Sequence, residues 1–235
     1  MVYNGTGGGL FMGMLLGVML PIFAACILMG GSIVVGQQMH GDAGQAISTL
    51  GALVGGLALF AVILIGTNKM IGLYWDNVII EGKRCQYHGT VGGLLGAMIV
   101  PYLLTSITLG IYSPWFYKRM KEFVYANLDV GGERLEFRGD AADLLGKLLV
   151  GLCIIVFGLF VVVGPIIGGA WLVNEFSAWE WNNTSISGRP FRYQSSLGEA
   201  LVIHILVGLL SGCTFYVGFP WAKVMFWDFE AKHIS

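Results

Sequence analysis

The sequence predicts an all-α membrane protein, a multi-pass helical bundle of five or six apolar runs with three short β-hairpin repeats at its aqueous surface. Three observations predict it. Of 235 residues, 56% are hydrophobic and 11% charged, against roughly 25% charged in soluble domains, and the mean hydropathy is +0.74. Several uncharged runs exceed the roughly 20 residues that cross a hydrocarbon core. Between those runs a short polar motif returns, beginning at Asn77, Asn127 and Asn183.

The first run covers about Leu10 to Gly36 and contains Pro21, which predicts a kink because proline removes a ladder hydrogen bond. Met1 to Gly9 holds no Lys or Arg and no small-residue cleavage site follows the run, which predicts a retained helix rather than a cleaved signal. A link, Gln37 to Gln45, leads to a second run at Ala46 to Gly66; so short a link predicts an antiparallel helix pair. These residues form a Gly-rich lead-in, 1–66, ahead of a repeat-containing domain, 67–235.

In that domain the copies lie at about 77–126, 127–182 and 183–235. Asn77, Gly82 and Tyr87 match Asn127, Gly132 and Phe137, then Asn183, Gly188 and Tyr193. Each Asn precedes its Gly by five positions and each Gly precedes an aromatic by five, with offsets of 50 and 56 residues, a period typical of repeat architectures. Alternating segments about a glycine turn predict β-hairpins, since glycine takes the positive φ a tight turn requires. Long apolar runs follow at about Val91–Tyr112, Leu144–Val173 and Leu197–Phe219. Two end in Pro114-Trp115 and Pro220-Trp221, followed by amphipathic segments Phe116–Tyr125 and Ala222–Ala231 of the kind that lie in a headgroup plane. Tyr112 and Trp115 then read as an aromatic belt, with Lys118, Arg119 and Lys121 in water against anionic lipid headgroups.

Two layouts fit these runs. If each crosses once, successive hairpins alternate sides; if each run after the second turns back, at Pro101 or Gly164-Pro165 for example, all 13 Lys and Arg share one face. The second obeys the positive-inside rule better, whereas irregular backbone at membrane depth must be buried in protein, which favours simple spans.

At Thr108-Leu109-Gly110-Ile111-Tyr112 with Trp115, and from Asn127 to Gly139, the chain resembles the YjgN-like bacterial inner-membrane family. Its members carry a T-L-G-I-Y-x-x-W segment, a basic aromatic stretch ending in Asn, and a G-x-R-F-x-F-x-G hairpin, here Gly132-Glu133-Arg134-Leu135-Glu136-Phe137-Arg138-Gly139. Tyr87-His88-Gly89 is similar to the aromatic-x-Gly that opens the family domain. The resemblance covers about Asn77 to Lys147 and weakens in the last third. It implies a multi-pass protein of the bacterial cytoplasmic membrane and implies no activity.

Ionisable groups inside apolar runs are costly and so are candidate functional groups. His204 and Glu199 lie in the last run; five residues apart, they point about 140° from each other. Lys147 starts the fourth run, Asn174 and Glu175 follow Trp171, and Asp140 and Asp143 suit a helix start. Cys26, Cys85, Cys153 and Cys213 lie far apart, without metal-ligand spacing; no metal, cofactor or nucleic-acid site is expected. The 36 glycines are roughly twice the average share. Gly9, Gly13 and Gly17, Gly51 and Gly55, and Gly92 and Gly96 lie four apart, as in close helix crossings.

The first functional reading is a non-enzymatic structural or assembly component that associates with copies of itself or with other membrane subunits. The alternative is a transporter or channel for a small solute, ion or lipid. A lipid-modifying enzyme would need a polar cluster in the membrane region, and the sequence does not display one.

Overall fold

The computed structural model describes residues 1–39, 41–159, 164–214 and 217–235. His40 in the expected link, and parts of the fourth and fifth apolar runs (160–163 and 215–216), lie outside the described residues. Eight helices among the described residues form four pairs: α1 (Gly7–Gln38) and α2 (Asp42–Trp75), α3 (Val91–Ile107) and α4 (Ser113–Ala126), α5 (Ala141–Gly158) and α6 (Gly164–Asn182), and α7 (Leu197–Cys213) and α8 (Phe219–Lys232). Three of them, α1, α2 and α5, are long and apolar enough to cross a membrane. The second helix runs past the expected Gly66 to Trp75. The α1 ladder widens into a π turn at Leu15–Met19, just ahead of Pro21, where the missing N–H disturbs it.

The expectation of an all-α protein is corrected by a seven-stranded antiparallel sheet whose strands are adjacent in chain order. The strands are β1 (Val2–Tyr3), β2 (Val78–Ile80), β3 (Lys83–Tyr87), β4 (Leu128–Val130), β5 (Glu133–Phe137), β6 (Thr184–Ile186) and β7 (Arg189–Pro190). A strand pair closes the base of each of the first three helix pairs: Tyr3 faces Val78, Tyr87 faces Leu128 and Phe137 faces Thr184. Under the fourth, Tyr193 bridges to Ile234. One sheet lies on one side of the molecule, so the layout in which the motifs alternate sides is excluded.

The reversals have local causes. Thr108-Leu109-Gly110-Ile111-Tyr112, expected as a helix leaving the bilayer, is instead a turn from α3 into α4. Leu109 and Gly110 take positive φ, and the Thr108 hydroxyl accepts the Tyr112 N–H at 3.0 Å. Thr214 does the same for Gly218 at 2.7 Å. Pro101 lies inside α3 and turns nothing. Nor do α4 and α8 lie flat on a surface; they return to the sheet, and their amphipathic pattern reflects one face turned inward.

At the sheet end the backbone devices recur. Asn77, Asn127 and Asn183 each donate a side-chain N–H to the carbonyl four residues earlier, at 2.7–2.8 Å; the His233 ring contacts the Phe229 carbonyl at 2.8 Å in the same place. The turns Glu81-Gly82, Gly131-Gly132 and Ser187-Gly188 have positive φ at both residues, the conformation of a two-residue hairpin turn. Thr6, Thr90, Asp140 and Ser196 cap the four outgoing helices, each three residues after an aromatic. The core sits where helix ends meet sheet: Val78, Ile80, Leu128, Val130, Leu135 and Ile186 point into it, and the Trp75 ring lies 5.6 Å from Tyr125 and 6.2 Å from Trp181. Phe11 of α1 packs 5.6 Å from Trp221 of α8, bringing the first helix pair against the last.

Candidate functional site

Where the four returning helices face one another they line a cavity of about 880 Å³, within the roughly 300–1,000 Å³ of small-molecule sites. Each presents residues spaced i, i+4, i+7, one face of a helix. From α2 come Thr67, Ile71 and Tyr74; from α4, Tyr117, Lys121 and Val124; from α6, Val173, Ser177 and Glu180; from α8, Lys223, Trp227 and Glu230. Counted back from Asn77, Asn127, Asn183 and His233, these are the same three positions in every pair. Leu10, Met14, Val18 and Ile22 of α1 add an apolar wall.

The polar wall is built by α4, α6 and α8. Glu180, 5% exposed, accepts a hydrogen bond from Tyr117 Oη at 3.0 Å, one from Tyr125 Oη, and an ion pair from Lys121. Glu230, 8% exposed, accepts the Ser177 hydroxyl at 2.5 Å. Burial, reinforced by the neighbouring Glu180, pushes the Glu230 carboxyl above its ordinary range. Burial and then the Glu180 charge push the Tyr117 and Tyr125 phenols well above theirs. Burial pulls the Lys223 ammonium down, and the charges of Glu230 and Glu180 oppose that. Two carboxyls, two ammonium groups and the phenols of Tyr74 and Tyr117 thus line one chamber, with the buried Tyr125 phenol behind Glu180.

The residues singled out from sequence lie elsewhere. Glu199 closes a capping box with Ser196, whose N–H it accepts at 2.8 Å, and lies 3.6 Å from His233 Nε2. His204 faces Gly169 of α6. Lys147 pairs with Glu175 at 2.6 Å between α5 and α6, and Asn174 accepts the Tyr193 hydroxyl at 3.3 Å. Gly13 and Gly17 face Leu73 and Lys69 of α2, Gly51 and Gly55 face Ser32 and Met29 of α1, and the Gly9 N–H meets its own cap. Gly92 and Gly96 look onto open space. Of the expected interface anchors, Tyr112 stacks on Trp115 at 5.4 Å and Pro114 and Pro220 are buried. Lys118 and Arg119 pair with Glu122, Trp221 packs on Phe11, and Lys121 alone turns into the cavity. Among the described residues no three His, Cys, Asp or Glu are grouped to hold a metal.

Sequence reasoning missed Glu180, Glu230 and Lys223 and misassigned Lys121. A signal existed. Aligning the segments on their Asn and reading three and six residues upstream lines up Glu180 and Lys121; Glu230 and Lys223 lie three and ten residues before His233, where the last segment has no Asn to align.

Residues 82–235, well over half the chain, match the family described as "Bacterial protein of unknown function (DUF898)". The chain is 38% identical over 64 residues to the inner membrane protein YjgN of Escherichia coli O157:H7, covering 27% of this chain and 16% of that protein. To YjgN of Salmonella typhimurium it is 25% identical over 146 residues, 53% of this chain and 36% of the relative. It thus spans little more than a third of the curated relatives it matches, at most. No solved structure matches. Its apolar helices and its relatives' names agree on a multi-pass inner-membrane protein, and the chain belongs to the DUF898 family of bacterial proteins of unknown function.

Proposed function

We propose that this chain is a non-enzymatic inner-membrane carrier that holds a small molecule in the chamber between its four helix pairs. The observation that carries this is the cavity of about 880 Å³ with an apolar wall on α1 and α2 and a polar wall on α4, α6 and α8. Binding sites combine apolar lining with a few placed polar groups in this way. The polar groups are held for binding rather than chemistry: the Glu180 carboxylate is occupied by Tyr117, Tyr125 and Lys121, and Glu230 by Ser177.

The chamber belongs to a chain made of four copies of one strand–helix–helix–strand unit, including the first 80 residues. Supporting this are the four caps, the four contacts at Asn77, Asn127, Asn183 and His233, and the four base pairings. An internal pseudo-repeat with its site at the centre is a common plan of membrane transporters. The basic strand residues Lys83, Arg84, Arg134 and Arg189, with Arg138 just past β5, favour a sheet facing the cytoplasm. Self-association has narrower support, because Gly13, Gly51 and Gly55 are engaged within the chain and Gly92 and Gly96 remain open.

Native mass spectrometry of the gently extracted protein tests the carrier reading. Wild type should retain a molecule of defined mass at one per chain, and Met70→Trp, which puts a bulkier ring into the cavity lining, should lose it. Identical spectra would overturn it.

A further inference from the structure

The chamber's hydrogen-bond donors exceed its acceptors. Lys121 is matched by Glu180, and the Ser177 hydroxyl by Glu230. Lys223 makes no ion pair or hydrogen bond among the described residues; its ammonium lies 5.1 Å from the Phe226 ring centre and 5.4 Å from that of Trp227. Trp181, 1% exposed and lining the same cavity, has an indole N–H with no partner among the described residues. A buried donor left unanswered is costly, and the Lys223 ammonium, answered only by two ring faces and by carboxylates beyond ion-pair distance, keeps donors to spare. On the same cavity, Leu10, Met14, Val18 and Ile22 recur every four residues along α1, an apolar stripe of roughly three helical turns.

We propose that the chamber takes a single-chain anionic amphiphile, its carboxylate or phosphate head on Lys223 and its alkyl tail along the α1 stripe. This rests on the carrier reading and deepens it by naming the ligand's class. The pairings agree: Lys121 meets Glu180 and Glu230 meets the Ser177 hydroxyl, so Lys223 is the charged group of this wall left without an ion-pair partner among the described residues. The two donors ask for a head rich in acceptor oxygens. An ammonium, a compact charge with three donors, accepts a carboxylate or a phosphate equally well.

The test is equilibrium binding of three radiolabelled probes to the full chain in nanodiscs of uncharged phosphatidylcholine: oleate, oleoyl lysophosphatidate and uncharged monoolein. The anions should bind at one per chain, and monoolein at least about ten-fold more weakly. Lys223→Gln should weaken the anions to the monoolein level without changing monoolein binding, and Lys223→Arg should restore them. Binding of one anion alone would support the proposal and identify the head as carboxylate or phosphate. Equal binding of all three, unchanged in Lys223→Gln, would overturn the head assignment and leave the carrier reading standing. No binding of any probe, with a molecule of another class retained by wild type and lost from Met70→Trp, would overturn the amphiphile alone. No binding together with identical native spectra would overturn both.

Discussion

The first helix pair and the last share a frame and differ in what they show to the chamber. Both open with an aromatic two residues before a small one and a hydroxyl cap, Tyr3-Asn4-Gly5-Thr6 and Tyr193-Gln194-Ser195-Ser196. Both close on a residue that contacts a carbonyl one helical turn back, Asn77 and His233. Between those ends α1 and α2 run for 32 and 34 residues, α7 and α8 for 17 and 14. On the cavity face α2 carries Thr67, Ile71 and Tyr74 where α8 carries Lys223, Trp227 and Glu230. Backbone donors and acceptors must be satisfied in every copy, so the ends stay alike. The cavity face has no such obligation and can diverge into an apolar wall and a polar one.

That comparison can be broken by substituting equivalent positions. Lys121→Met leaves Glu180 buried without its cation and should cost about 3–5 kcal/mol; Ile71→Met, at the matching place on α2, should cost under about 1.5 kcal/mol. Thermal unfolding in detergent reads both, and equal losses would mean that the two walls do not differ. Trp75→Ala, removing a ring from the shared core, should cost about 3–5 kcal/mol, whichever wall is intact.

Glu230 sharpens the contrast through pH. Its folded-state value is raised, so its contribution to stability is fully present below the ordinary carboxylate range and is lost as pH rises through the raised value. Glu230→Gln should flatten that decline, while Tyr74→Phe, the matching position on α2, should leave it in place. The smallest effects belong to the shared frame. Asn77→Ala, Asn127→Ala and Asn183→Ala should each cost about 0.5–1.5 kcal/mol, one side-chain hydrogen bond apiece, and by similar amounts. A several-fold spread would argue against equivalent units.

What the sequence displayed follows the same division. The turns at Gly82, Gly132 and Gly188 were legible because their causes lie within a few residues, whereas the recurring Asn was visible only as a marker and not for its bond to a carbonyl. The sheet was half legible: its strands could be placed, but their pairing across intervening helix pairs depends on where the helices reverse. Thr108 to Tyr112 looked like an exit because aromatic and basic residues after an apolar run have the same composition at a membrane surface and beside a buried chamber. For that reason Lys121 was read as facing water, and Lys223 and Glu180, the latter between Trp179 and Trp181, drew no notice. Tyr3-Asn4-Gly5-Thr6 repeats the pattern of Tyr87-His88-Gly89-Thr90, yet the long glycine-rich helices that follow it obscured the match.

The central claim is that the first and last helix pairs meet and close the chamber. Cross-linking by a short bifunctional maleimide in native membranes tests it, with Phe11→Cys and Trp221→Cys introduced together after the four native cysteines are replaced by alanine. The packing of Phe11 on Trp221, ring centroids 5.6 Å apart, predicts efficient intramolecular cross-linking by such a reagent, and none for Phe11→Cys with Ile107→Cys at the α3 tip. Failure of the first pair to cross-link in folded protein would contradict a closed chamber.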